Sequence, residues 1–363
     1  MSASPAGYFS SSYAEARTRF TEAARSHGLA VEAHINPQRG PAREHLITDV
    51  IWAGPRDAER VLITISGTHG AEGYCGSGAQ VGTIESGLCQ ELPSGLALMM
   101  IHAINPYGFA WTRRVNEDNV DLNRNFIDFA QPLPRNAGYE DLHAVLCPKE
   151  WTEDSQSAWD TQSTNYALQH GAHAFQEAVS GGQYSRADGL FYGGNAATWS
   201  HRTLLSILDY WLPQAKKAAI IDYHTGLGPY GYGERICVHR PGSAGEQRVA
   251  QWYGDDFTNP AAGTSSSAEL KGVNTDGVAA NQPAIEWTNI ALEYGTLPLD
   301  QVLNALRADN WLHCHGTVES PLGKEIKAQI RAAFYGETDG WKQDVWERAM
   351  ETQQLALNGL AES

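Results

Sequence analysis

Four short apolar runs, residues 61–65, 96–104, 218–223 and 287–292, set the terms for what this chain can fold into. Each is far shorter than the roughly 20 apolar residues that a spanning helix needs. Each has the length of a strand, and 96–104, apolar at nearly every position, has the mark of one buried on both faces. Such strands require helices to cover them. Helical spacing provides these over 13–27, where Tyr13, Ala16, Phe20, Ala23 and Ala24 share a face and Gly28 closes the run, and again over 244–253; residues 73–88 read as a helix rich in small side chains. Further strands over 30–35, 45–52 and 236–239 complete the set. The alternation predicts an α/β fold, with a mixed, mostly parallel central sheet and helices on both faces.

With 363 residues and no long low-complexity tract, the chain suffices for one large domain over 1–363. Residues 131–210 are polar and irregular, with helical pieces over 158–179 and 198–211. They read as an insertion covering one rim of a site. Residues 254–283, crowded with Gly, Ser, Thr and Asn, read as a loop. A helical tail over 299–363 follows, with helices at 299–313, 322–334 and 341–357; the aromatic residues of 341–346 are expected to pack it onto the body or onto a second subunit.

The formal charge of -16, with Lys and Arg not gathered into blocks, works against binding to nucleic acid or to an anionic membrane surface. Residues 1–12 lack a basic region followed by an apolar core, so no secretory signal is read. Cysteines at 75, 89, 147, 237 and 314 are odd in number and without CxxC spacing, as expected of free thiols in a reducing cytoplasm.

The chemistry gathers where the apolar runs end. The first stops at Gly67-Thr68-His69-Gly70-Ala71-Glu72-Gly73, a glycine-flanked His-x-x-Glu in which one imidazole and one carboxylate converge if a helical turn begins there. The run 218–223 meets His224 in the same way, and 287–292 ends in Glu293. Ligand sites in open α/β sheets collect at the carboxyl ends of strands, so these residues are expected on one rim. Two His and one Glu suit zinc and leave a coordination position for water. Glu293, on an apolar strand, then serves as the base that takes the water's proton.

The ordered series His69-x-x-Glu72, Asn105-Pro106, Asp121-Leu122-Asn123-Arg124-Asn125-Phe126, Asp222-Tyr223-His224-Thr225 and Glu293 resembles the zinc carboxypeptidase superfamily, and within it a bacterial metallopeptidase-like branch. The likeness to aspartoacylase and succinylglutamate desuccinylase is more distant. The resemblance to the zinc carboxypeptidase superfamily runs from about residue 61 to 296 and implies its α/β fold. It also implies one zinc ion per chain on His69, Glu72 and His224, with Glu293 as general base. Asn123 and Arg124 match the pair that grips a substrate's terminal carboxylate, a task suited to the guanidinium fork. Arg113 or Arg114 matches the arginine that stabilises the oxyanion; spacing does not choose between them, and the reading leans to Arg114. The implied activity is hydrolysis of a small peptide or peptide-like amide beside a free carboxylate. The alternatives are deacylation of an N-acyl amino acid, or a non-catalytic protein that retains the pocket. Self-association is left open.

Two departures stand out. Digestive carboxypeptidases carry a mobile tyrosine shortly before the base, yet no Tyr lies between Tyr253 and Tyr294. Tyr230 and Tyr232, in the glycine-rich stretch 226–233, are the available substitutes, and that stretch reads as a flexible loop at the site's edge because it lacks the ending of a phosphate loop. The Asn-Pro-Asp-Gly turn expected of the family is here Asn105-Pro106-Tyr107-Gly108, a milder change. His313-Cys314-His315 reads as a helix end favourable to cations rather than as a second metal site, and Cys75 as a small buried residue rather than a ligand.

Overall fold

The computed structural model describes residues 4–362. Met1, Ser2 and Ala3, part of the stretch read as lacking a secretory signal, and Ser363 lie outside the described residues. The strands are β1 (Val31–Arg39), β2 (His45–Ala53), β3 (Arg60–Ile65), β4 (Leu96–His102), β5 (Lys217–Tyr230), β6 (Gly233–Cys237) and β7 (Glu286–Gly295). The α-helices are α1 (Tyr13–Ser26), α2 (Gly73–Glu85), α3 (Pro106–Ala110), α4 (Ala137–Leu146), α5 (Glu153–His170), α6 (Ala172–Ser180), α7 (Trp199–Trp211), α8 (Ala244–Tyr253), α9 (Asn274–Asn281), α10 (Leu299–His315), α11 (Pro321–Phe334) and α12 (Asp339–Glu362). No helix among the described residues is long and apolar enough to cross a membrane.

The strands form one mixed sheet in the order β1-β2-β4-β3-β5-β7-β6. The inner neighbours β4, β3, β5 and β7 run parallel, and antiparallel pairs close both edges. Side chains alternate across the pleat. On β4, Leu96, Leu98 and Met100 pack in the cluster that includes residues of α1, α2, α8 and α12, whereas Ala97, Met99 and Ile101 face the cluster containing residues of α7 and α9. Two-sided burial is why this run lacks a polar face. A third cluster joins α4, α5 and α6 to α10 and α11.

Three boundaries differ from expectation, each for a local reason. The helix expected over 158–179 is two helices, because Gly171 takes φ 89 between them. The loop expected over 254–283 contains α9, whose one strongly apolar anchor, Val278, gives a weak periodic signal. The stretch 226–233 is not a free loop. β5 continues to Tyr230, its register shifting after Thr225, and Tyr230 pairs with Gly295, so His224 sits inside a strand rather than beyond its end.

Gly70 shows how tightly the turn after β3 is held. A Cβ built there would lie 1.9 Å from the carbonyl carbon of Gly108 and 2.1 Å from the Phe109 nitrogen. Both are backbone atoms and cannot swing aside. Gly70→Ala is expected to lower stability by about 1–3 kcal/mol through overpacking, seen as a lower denaturant midpoint. A midpoint equal to the parent's would contradict this close approach.

Candidate metal centre

The end of β3 delivers His69 and a short 3-10 turn, Gly70–Glu72, brings Glu72 back beside it. From the neighbouring strand β5 comes His224, whose Cα partner across the parallel register is Glu293 of β7. Residues more than two hundred positions apart in the chain therefore meet through strand adjacency. The ligand atoms of His69, Glu72 and His224 lie within 4.8 Å of one another, and all three residues are buried.

Both imidazoles present the same nitrogen to the centre. His69 Nδ1 is 3.0 Å from Glu72 Oε1, and His224 Nδ1 is 2.9 Å from Glu72 Oε2. Each far nitrogen meets another carboxylate: His69 Nε2 lies 3.0 Å from Asp121 Oδ1, and His224 Nε2 lies 2.9 Å from Asp222 Oδ2. An Nε2–H donated to a carboxylate leaves the Nδ1 lone pair on the Glu72 side, the arrangement that orients metal-binding histidines in general. Thr68 and Asn274 each donate to Asp222 in turn, at 2.8 Å. The donor set, two imidazole nitrogens and one carboxylate with both rings oriented by carboxylates, fits zinc.

The electrostatics agree with that fit. Burial opposes the charge of Glu72, but His69 and His224 overcome it and hold its carboxyl well below the usual carboxylate range. Glu293 goes the other way. Burial, reinforced by the negative charge of Glu72, pushes it up to about 8, and its Oε1 accepts the Leu227 N–H at 3.0 Å. One carboxylate is held ionised, and its neighbour keeps its proton to higher pH.

The two consecutive arginines part company. Arg114 reaches the centre, with Nη1 3.1 Å from Glu72 Oε1 and Nε 2.9 Å from Asp121 Oδ2. Arg113 turns away to Asp309, 3.3 Å from its Nε. Asn123 and Arg124 both line the cavity but are not equally free. The Asn123 Oδ1 accepts the Asn274 N–H at 3.1 Å, tying the start of α9 to the site. Arg124, 2% exposed, donates to the carbonyls of Asn123 and Ser180, and its Nε has no partner among the described residues.

These residues share a cavity of about 1160 Å³. Its far walls come from α6 and from residues 266–276. The suggested substitutes for a mobile tyrosine are not there: the Tyr230 hydroxyl bonds Thr338 at 2.9 Å, that of Tyr232 bonds Asp256 at 3.3 Å, and neither residue lines the cavity. Near the end of α10, His313 packs against Asp309 and Lys327. Cys75 is buried and outside the ligand set. The roles of Asp121, Asp222 and Asn274 were not assigned from sequence. For Asp222 a signal existed, since residues two apart on a strand share a face and so set it beside His224; for Asn274, in a polar loop, there was none.

A family model described as "Protein of unknown function (DUF2817)" matches residues 9–348. Among solved structures, carboxypeptidase A from Helicoverpa armigera aligns with a TM-score of 0.50 at 12% identity, over 97% of this chain and 74% of that one. A metallo-carboxypeptidase from Pseudomonas aeruginosa in complex with (2-guanidinoethylmercapto)succinic acid gives 0.40 at 15% identity, over 95% and 69%. Murein-tripeptide amidase MpaA from Escherichia coli O157 gives 0.36 at 18%, over 81% and 92%. No curated protein matches. The mixed seven-stranded sheet is thus a carboxypeptidase-like α/β fold.

The raised pKa of Glu293 has a consequence for the metal-free chain. Below the unfolded value of 4.5 the proton is held in both states; as pH climbs toward about 8 only the folded state retains it, so this group's contribution to stability is present at low pH and lost as pH rises through that window. Metal-free Glu293→Gln is expected to match the parent's Tm near the lower limit and to exceed it increasingly toward the upper one. A Tm difference that stays constant across the window would contradict the assignment.

Proposed function

The chain belongs to the DUF2817 family, and from that premise we propose that it is a zinc-dependent hydrolase cleaving an amide bond next to a free carboxylate, carboxypeptidase-like on small peptides or peptide-like amides. One observation carries the reading: a buried His-Glu-His set and Glu293, whose carboxyl burial pushes up to about 8, share one cavity with Arg114 and Arg124. A zinc ion held by His69, Glu72 and His224 would supply a water of lowered pKa and polarise the substrate carbonyl.

The chain's own residues do the rest. Glu293, protonated or not near neutral pH, is matched to taking a proton from water and handing it to the leaving nitrogen. Arg114 brings fixed positive charge to the centre's edge, where an oxyanion develops. Arg124, with its Nε unpartnered, offers a buried cation for the substrate's carboxylate, and Asn123 stands next to it.

The deacylase alternative shares this machinery. The residues that follow the base here carry α10, α11 and α12. A non-catalytic role sits poorly with a complete ligand set and a base tuned beside it.

In a panel of carboxyl-terminally free peptides, the same peptides amidated, and N-acyl amino acids, the zinc-loaded protein is expected to hydrolyse the first group and spare the second. Glu293→Gln should lower kcat by about a hundredfold to ten-thousandfold while retaining zinc. Arg124→Ala should act mainly on KM. Equal rates on free and amidated peptides, or full activity in Glu293→Gln, would refute these roles.

A further inference from the structure

The segment that brings Arg114 to the cavity is held from behind. Thr112 takes φ 47, a left-handed conformation unfavourable for a β-branched residue, and its carbonyl accepts the Lys327 Nζ of α11 at 2.9 Å. The same Nζ lies 2.6 Å from Asp309 Oδ1 of α10, while Asp309 Oδ2 faces Arg113 Nε at 3.3 Å. Arg113 also donates to Asn119 Oδ1 at 3.0 Å, at the segment's other left-handed residue, φ 58. His313 flanks the cluster, 3.6 Å from Asp309. Asp309 is 4% exposed and Arg113 5%, so the group is shielded from water, where ion pairs are screened least.

The other side of this segment supports the ligands. The carbonyls of Arg113 and Arg114 accept the N–H groups of Ala71 at 2.7 Å and Gly70 at 3.2 Å, the two residues between His69 and Glu72. One short stretch of backbone thus carries the centre's arginine on its side chain and braces the ligand turn with its carbonyls.

We propose that Asp309, bridged to Lys327 and Arg113, is a positioning residue: it clamps residues 111–119 so that Arg114 faces the cavity and the His69–Glu72 turn keeps its backbone support. The inference rests on the hydrolase reading for its effect on turnover, but not for its effect on the turn. It also gives the helices after the base a task. α10 and α11 reach back across the molecule to fix a segment that precedes them by about two hundred residues.

The test compares the full-length parent with Asp309→Asn, Lys327→Met, Arg114→Met, and Asp309→Asn combined with Arg114→Met. In the metal-free chain, hydrogen exchange at the Gly70 and Ala71 amides is expected to quicken about tenfold in Asp309→Asn and in Lys327→Met, with β4 unchanged. Exchange at those amides equal to the parent's in both variants overturns the proposal, as does a uniform rise that includes β4. In the zinc-loaded protein acting on a carboxyl-terminally free peptide, Asp309→Asn is expected to lower kcat about tenfold to a hundredfold with little change in KM. Added to Arg114→Met it should cost clearly less than it does in the parent, because much of its effect passes through that residue. Losses that multiply overturn the proposal. A parent inactive on every substrate refutes the hydrolase reading instead, and the exchange measurement still decides for or against the clamp.

Discussion

Glu72 meets two imidazoles at once, one with each carboxylate oxygen, and the site is arranged around that encounter. A buried carboxylate is costly unless paired and hydrogen-bonded. Here His69, His224, Arg114 and the Thr225 N–H all turn toward it. Such a concentration of polar groups at the edge of an apolar sheet is hard to explain by stability alone, since a buried ion network of this kind is weak support for a fold. It is easily explained as a socket for a cation. The carboxylates behind each ring, Asp121 and Asp222, make the same point, because they fix which nitrogen each ring turns inward.

The sheet makes the encounter possible. β3 and β5 are hydrogen-bonded neighbours, as are β5 and β7, so the residues that leave or punctuate these strands arrive a strand spacing apart. His224 and Glu293 are register partners, which places an imidazole of the candidate metal set beside an acid of raised proton affinity without any loop having to fold over. Burial, reinforced by the like charge of Glu72, then keeps the proton on Glu293 to higher pH. Position in the sheet thus sets both geometry and proton affinity.

Much of this was legible in the residues, and the reasons are particular. All seven strands are visible because two-sided burial makes their runs apolar, as β4 shows, or because turn residues bracket them. His69, Glu72, His224 and Glu293 stood out because polar residues interrupt apolar runs at their ends. The choice between Arg113 and Arg114 was invisible, since neighbours differ only in the direction the backbone gives them, and that direction is set by Asp309 and Lys327 in distant helices. The break at Gly171 and the helix α9 were missed because short, polar elements owe their existence to tertiary contacts. Tyr230 and Tyr232 sit in the anticipated stretch, but β5 continues to Tyr230 and Tyr232 lies in the turn to β6, so their hydroxyls meet Thr338 and Asp256.

The most direct test of the account is zinc binding by the metal-free protein followed through its X-ray absorption spectrum. One ion per chain is expected, with two imidazole nitrogens and oxygen donors at about 2.0–2.2 Å and no sulfur, and with stoichiometric binding lost in His69→Ala and in His224→Ala. Zinc that binds substoichiometrically, that shows a sulfur ligand, or that is retained in both variants would contradict a centre built on His69, Glu72 and His224.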